Sequence, residues 1–245
     1  MSNLFEINFN NLKELDLSHN NITDINILLK ANFPKLEILY LSDDKISKIN
    51  ALSKVSFKGL KKLHLDSNYI SNINILGTIK LSKLEILDIS SNFLANVNMI
   101  SIDDFKELKY LFLDSNKYVL DIYNSDNTFD KSIYELRRFP KLEVLSLRKT
   151  IIYDLCVLTR FTFPELSKLY LDDNKISDIS VLKNISYKKL KVLSLKDNKI
   201  KDIRVFNYIK FKKLVELNLS NNRIDETKYA LIISNLKLKI KNFVI

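Results

Sequence analysis

LSKLYLDDNKISDI, residues 166–179, carries leucines at its first, fourth and sixth positions, an asparagine at the ninth, and isoleucines at 176 and 179. Positions four and six are two residues apart, the period of a short strand. Ile176, Ile179 and Leu182 instead recur every three residues, as one face of a helical or 3-10 turn does. One occurrence would decide nothing, but the same pattern starts at 12, 36, 60, 84, 108, 142, 166, 190 and 214. The starts are 24 residues apart except between 108 and 142, where the gap of 34 is one period plus a ten-residue insertion. A fixed period of this size means one supersecondary unit stacked on copies of itself, so side chains of equal phase share one wall.

Those walls predict a core. The first, fourth and sixth leucines point inward from each copy, and an aromatic residue lies three positions before most first leucines: Phe9, Phe33, Phe57, Phe105, Phe139, Phe163, Tyr187 and Phe211, with Leu81 the aliphatic exception. Burying one such side chain is worth about 1.5–3 kcal/mol. Asn20, Asn68, Asn92, Asn116, Asn174, Asn198 and Asn222 stand where the chain leaves the strand. Their amides can both donate to and accept from buried loop backbone, a structural ladder whose members are worth roughly 1–3 kcal/mol each. Asp44 can replace only the accepting half and Thr150 has less reach, so those two turns are expected to be held less well.

The motif L-x-x-L-x-L-x-x-N-x-I/L resembles the leucine-rich repeat over nearly the whole chain, and the I-x-x-I-x-x-L tail resembles the subclass of the protein phosphatase regulators and bacterial internalins. Those families commonly use about 22 residues per turn, so the resemblance carries the fold and not the phosphatase. It implies an α/β protein: a right-handed, curved solenoid in a single domain over 1–245, with parallel strands on the concave face and short helical or 3-10 turns on the convex face. Residues 1–11 read as a partial N-terminal turn, and LKLKIKNFVI (236–245), alternating apolar residues with Lys237, Lys239 and Lys241, reads as a capping edge strand that keeps the chain monomeric.

Composition removes several function classes. Gly59 and Gly77 are the only glycines, so neither a phosphate loop nor a dinucleotide fingerprint can be written and no cofactor is expected. His19 and His64 stand 45 positions apart with no Cys/His cluster about them, and that spacing argues against a zinc site. No apolar run is long enough to span a bilayer. The start MSNLFEINFN lacks a secretory pattern, and the lone Cys156, expected to be a partly buried and inert thiol, cannot close an internal disulfide. The expected compartment is the cytoplasm.

Function in such an array belongs to the side chains that leave the strand outward, at positions two, three, five, seven and eight. Position two alternates Lys13, Glu37, Lys61, Glu85, Lys109 and Glu143, which predicts a lateral ladder of weak ion pairs between neighbouring strands. Position five holds Tyr40, His64, Phe112 and Tyr170; position three adds Ile38, Ile86, Tyr110, Val144 and Val192. Clustered outward aromatics either pack on one another or form a protein-docking surface. The net charge of +10 invites a nucleic-acid reading, yet the five outward columns hold nine basic and thirteen acidic residues, a net −4. Nucleic acid is therefore disfavoured on the concave face, and a basic convex back is the alternative site for an anionic surface or nucleic acid.

One copy departs from the rest. LRKTIIYDL (147–155) has Arg148, Lys149 and Thr150 where other copies have acidic and amide residues, and it follows the insertion within 117–140. TFDKSIYELRRF (128–139) can form a short helix capped at Thr128 or Asp130 that buries Ile133 and Leu136. Tyr118, Tyr123 and Asp126 with Arg148 and Lys149 are expected to make a special contact zone; the competing reading is a repeat that drifted without purpose. No column joins a nucleophile, a base and an orienting group, so catalysis is not expected. The expected activity is noncovalent binding of another protein, as a scaffold or regulatory subunit, with no small-molecule substrate.

Overall fold

Each rung opens with the strand its leucine spacing requires. In a computed structural model, which describes residues 7–94, 105–116, 137–185, 187–209 and 211–245, the chain divides into two units, Met1–Lys117 and Tyr118–Ile245. The first contains β1 (Ile7–Asn8), β2 (Glu14–Asp16), β3 (Ala31–Asn32), β4 (Ile38–Tyr40), β5 (Lys62–His64), β6 (Ile86–Asp88) and β7 (Tyr110–Phe112). The second contains β8 (Arg137–Arg138), β9 (Val144–Ser146), β10 (Phe161–Thr162), β11 (Lys168–Tyr170), β12 (Val192–Ser194), β13 (Glu216–Asn218), the helix α1 (Ala230–Lys239) and β14 (Asn242–Val244).

Within the first unit β2, β4, β5, β6 and β7 pair in that order, all parallel, so Leu15, Leu39, Leu63, Leu87 and Leu111 stand side by side. Within the second, β9, β11, β12, β13 and β14 do the same, with Leu145, Leu169, Leu193, Leu217 and Phe243 aligned. A second, two-residue ribbon starts each unit: Ile7 pairs with Ala31 and Arg137 with Phe161. That ribbon corrects the end of the helix expected over 128–139, because Arg137 and Arg138 are claimed by a strand partner 24 residues on; the rest of that helix, with Ile133 and Leu136, lies outside the described residues.

The return path is 3-10 and not α-helical, at Asn26–Lys30, Asn50–Lys54, Asn74–Thr78, Leu155–Arg160, Ser180–Asn184 and Arg204–Asn207. With three residues per turn, Ile46, Ile49 and Leu52 all face inward and are buried, as are Ile176, Ile179 and Leu182. Five of these turns start on an acidic or amide side chain that accepts a backbone N–H two residues on: Asp24 from Asn26, Asn72 from Asn74, Asp154 from Cys156, Asp178 from Ser180 and Asp202 from Arg204. The same periodicity corrects the expectation for Cys156. Leu155 and Leu158 occupy the buried phase, which turns the thiol outward and leaves it exposed.

The aromatic column is core. Phe33, Phe57, Phe105, Phe139, Phe163 and Tyr187 are buried, and neighbouring rings touch, with centroids 5.5 Å apart for Phe9 and Phe33 and 5.8 Å for Phe139 and Phe163. Phe9 is more exposed, at 41%. The asparagine ladder also stands as expected. Asn68 donates from Nδ2 to the carbonyls of Leu41 (2.7 Å), Leu65 and Asp66 (3.1 Å each), while its Oδ1 accepts from the N–H of Ile46 at 2.9 Å. Asp44 performs only the accepting half, taking Asn20 N–H at 2.9 Å and Ile22 N–H at 2.8 Å, and its buried Oδ2 has no partner. Thr150 reaches Leu147 O at 2.9 Å and Asn174 Oδ1 at 3.2 Å.

The residue before each ladder position carries the turn. His19, Asp43, Ser67, Ser91, Ser115, Lys149, Asp173, Asp197 and Asn221 all have φ between 53° and 61°, the left-handed region that L side chains enter at a cost of about 1–2 kcal/mol. The capping strand expected over 236–245 is a helix followed by a strand: α1 takes residues up to Lys239, and only Asn242–Val244 pairs, with β13. Tyr229, Ile232, Ile233, Leu236 and Ile240 are all buried. Their spacing of three and four is helical and overrides the alternation of LKLKIK.

Candidate functional site

Strand register builds the outward face. In the first unit Asp16, Tyr40, His64, Asp88 and Phe112 form one column, each the direct partner of the next, and Glu14, Ile38, Lys62, Ile86 and Tyr110 form the column beside it. Tyr40, His64, Tyr110 and Phe112 are all half-buried. Their alternate neighbours Leu39, Leu63 and Leu111 are core, so the backbone that displays them is fixed from behind. Tyr40 and His64 stack, with ring centroids 4.8 Å apart and planes inclined by 26°.

The charge ladder of position two exists as expected. Lys61 pairs with Glu37 at 2.7 Å and Lys109 with Glu85 at 2.8 Å. Lys61 holds the Glu37 carboxyl below the usual range through its hydrogen bond, and Glu37 in turn raises the Lys61 ammonium. These are solvated rim contacts that set lateral spacing more than stability.

In the second unit the column position of Tyr40 is taken by Tyr170. The Arg148 guanidinium lies 3.8 Å from the Tyr170 ring centroid and donates to Asp172 Oδ2 and to Ser146 Oγ, each at 2.8 Å. Asp172 also accepts from Ser194 Oγ and, at 3.1 Å, from the N–H of Lys196. Arg148 is thus braced flat over its neighbours, while Lys149 is 63% exposed and stands 3.8 Å from Asp173. Val144 and Val192 were expected to face outward to solvent; they leave the strand outward in register with Lys168, yet they are buried. Tyr118, Tyr123 and Asp126, the remaining members of the expected contact zone, lie outside the described residues.

The register also gathers a group that linear spacing concealed. His64, Asp66 and Asp88 place one ligand-type atom each within 4.8 Å of one another. His64 and Asp88 are 24 residues apart and so stand shoulder to shoulder on β5 and β6. Counting distance by column instead of along the chain is the signal that would have found them. Burial holds the Asp88 carboxyl above its ordinary range, and the neighbouring Asp66 carboxylate adds to the rise.

Family models agree with this architecture. One described as "Leucine Rich repeats (2 copies)" matches residues 10–54 and 188–230, and one described as "Leucine rich repeat" matches residues 58–117. Among solved structures, internalin C2 of Listeria monocytogenes str. 4b F2365 is similar at 26% identity over 87% of this chain and 80% of its own, with a TM-score of 0.61. The leucine-rich repeat domain of APL1B (21% identity, TM-score 0.54, 86% of this chain and 65% of that one) shares the fold. So does the plant peptide hormone receptor RGFR1, solved in complex with RGF2 (18% identity, TM-score 0.61, 95% of this chain and 39% of that one). No curated protein matches the sequence. With the rungs, the 3-10 returns and the asparagine ladder all in place, the chain belongs to the leucine-rich repeat proteins, of the internalin-like type.

Proposed function

We propose that this protein binds another protein on its strand face, with Tyr40, His64, Tyr110 and Phe112 of the first unit as the anchoring side chains. The observation that carries this is the half-buried aromatic column on strands whose opposite residues are locked into the core. A partner docking there meets side chains already ordered, so little rotamer freedom is lost on binding. Large rigid aromatics are the residues that dominate such interfaces. The RGFR1 structure, a complex with RGF2, supports the use of this fold for capturing a polypeptide. The role is that of a non-enzymatic scaffold or regulatory subunit, in keeping with the common use of leucine-rich repeat domains. Arg148, Lys149 and Tyr170 make a second, charged contact patch on the other unit, and Tyr118, Tyr123 and Asp126 are proposed to join it.

The test compares wild type with a Tyr40→Ala/Tyr110→Ala/Phe112→Ala variant in affinity capture from native extract. Loss of a captured protein at unchanged thermal stability supports the face; capture unaffected by the triple change rejects it. A second reading, binding of a polyanion on the surface outside the strand columns, has the overall charge of +10 in its favour. It predicts affinity falling steeply with salt, by roughly 0.9 decades per decade of salt for each phosphate contacted. A reducing, cytoplasmic location is proposed with these, supported by Cys156 being the single cysteine of the sequence, with no second one to close an internal disulfide, and checked by cell fractionation.

A further inference from the structure

The outward columns of the first unit bring one imidazole and two carboxylates together across two neighbouring strands. His64 ends β5 and Asp88 ends β6, and the parallel register makes them direct partners. Asp66 follows His64 by two residues. One imidazole nitrogen and one oxygen from each carboxylate lie within 4.8 Å of one another, all on half-buried side chains. Ligand atoms around a first-row metal at about 2.0–2.2 Å are separated by roughly 3–3.5 Å, so small rotamer shifts close the set.

Each side chain is held. Tyr40 stacks on the imidazole at 4.8 Å between centroids. Asp66 Oδ1 accepts from Ser42 Oγ at 2.6 Å and Asp88 Oδ1 from the N–H of Ser90 at 2.9 Å, which orients both carboxylates. Among the described residues neither carboxylate has a lysine or arginine within ion-pair distance. Two like charges side by side at partial burial repel, and a bound cation relieves that repulsion. The fold does not demand the arrangement. In the second unit the same column places are taken by Ser194, Lys196 and Asn218, on strands paired in the same register.

We infer that His64, Asp66 and Asp88 form a three-ligand site for a first-row divalent cation, Zn2+ foremost, on the strand face of the first unit. The imidazole selects against the hard ions Mg2+ and Ca2+, and the two carboxylates select against Cu(I). Three protein ligands leave a coordination position toward solvent, where water or an incoming acidic or histidine side chain completes the shell.

The test uses the full chain in a Cys156→Ser background, which removes the exposed thiol as a competing ligand. Equilibrium dialysis against Zn2+ is expected to show one saturable site per chain, and Co2+ substitution to give visible ligand-field absorption. His64→Ala and Asp88→Asn, made separately, are each expected to weaken Zn2+ binding at least about tenfold. Circular dichroism shows that each variant is folded, and Asp66→Asn serves as the third ligand test should either fail to fold. Zn2+ affinity unchanged in His64→Ala, or lost on His19→Ala instead, assigns binding to the exposed His19–Asp43 pair and overturns the inference. Absence of saturable binding overturns it as well.

Discussion

Tyr187 is the one aromatic of its column to carry a hydroxyl among Phe139, Phe163 and Phe211, and that hydroxyl is buried without a partner, its ionisation pushed up by the burial. An unpaired buried hydroxyl costs about 1–3 kcal/mol, so Tyr187→Phe is expected to raise the thermal midpoint by a few degrees. An unchanged or lower midpoint would mean that the hydroxyl has a partner. The ladder makes the opposite prediction. Asn68→Ala strands the Ile46 N–H and the Leu41 carbonyl and is expected to destabilise by about 1–3 kcal/mol in denaturant melts. Asp44→Asn supplies the donor now missing at Oδ2 and is expected to stabilise. The need for an amide at the ninth position was legible in the sequence, because it recurs in phase with the leucines. The left-handed turn at the eighth was not: His19, Ser67 and Lys149 share no chemistry, and only a backbone angle of 56–61° unites them.

Among elements, four of the six 3-10 turns given above start on an acidic residue, Asp24, Asp154, Asp178 or Asp202, that accepts a backbone N–H two residues on. Arg204 holds the Asp202 carboxyl at about 2, below its ordinary 3.8, through side-chain and backbone hydrogen bonds. A depressed folded-state value means the contribution is fully present above the unfolded value and drains away as pH falls through the folded one. Both side chains are largely exposed, at 44% and 71%, so solvent screening keeps the effect small. Thermal melts of wild type and Asp202→Asn are expected to differ above pH ~4 and to converge toward pH ~2; a gap independent of pH would show that the pair is not coupled to folding. Element type was only partly readable. A spacing of three in Ile46, Ile49 and Leu52 fits a 3-10 or an α-turn equally, and the structure places a five-residue 3-10 turn there, at Asn50–Lys54. At the C-terminus the alternating lysines masked the stronger helical phase of Tyr229, Ile232, Ile233, Leu236 and Ile240.

For the whole molecule, the period carried most of the information. It identified the inward leucines, the aromatic column, the lateral Lys–Glu pairs and the column that joins Tyr40 to His64, each of which needs only that residues 24 apart be neighbours. What it did not specify is how outward side chains settle against one another. Arg148 reads along the chain as a free cation, whereas the register hands it Ser146, Tyr170 and Asp172 as partners. His64, Asp66 and Asp88 likewise look unrelated until the chain is folded into rungs.

The docking face and the cation site both depend on that register. Cysteines placed at Ile38 and Lys62, direct partners on β4 and β5, in a Cys156→Ser background, test it by mild oxidation and mass spectrometry. Adjacent strands lie about 4.8 Å apart, within disulfide reach, so the pair is expected to cross-link readily within one chain. Cysteines at Ile38 and Ile86, two strands apart at roughly twice that distance, are expected not to. Cross-linking of the second pair in preference to the first would contradict the account.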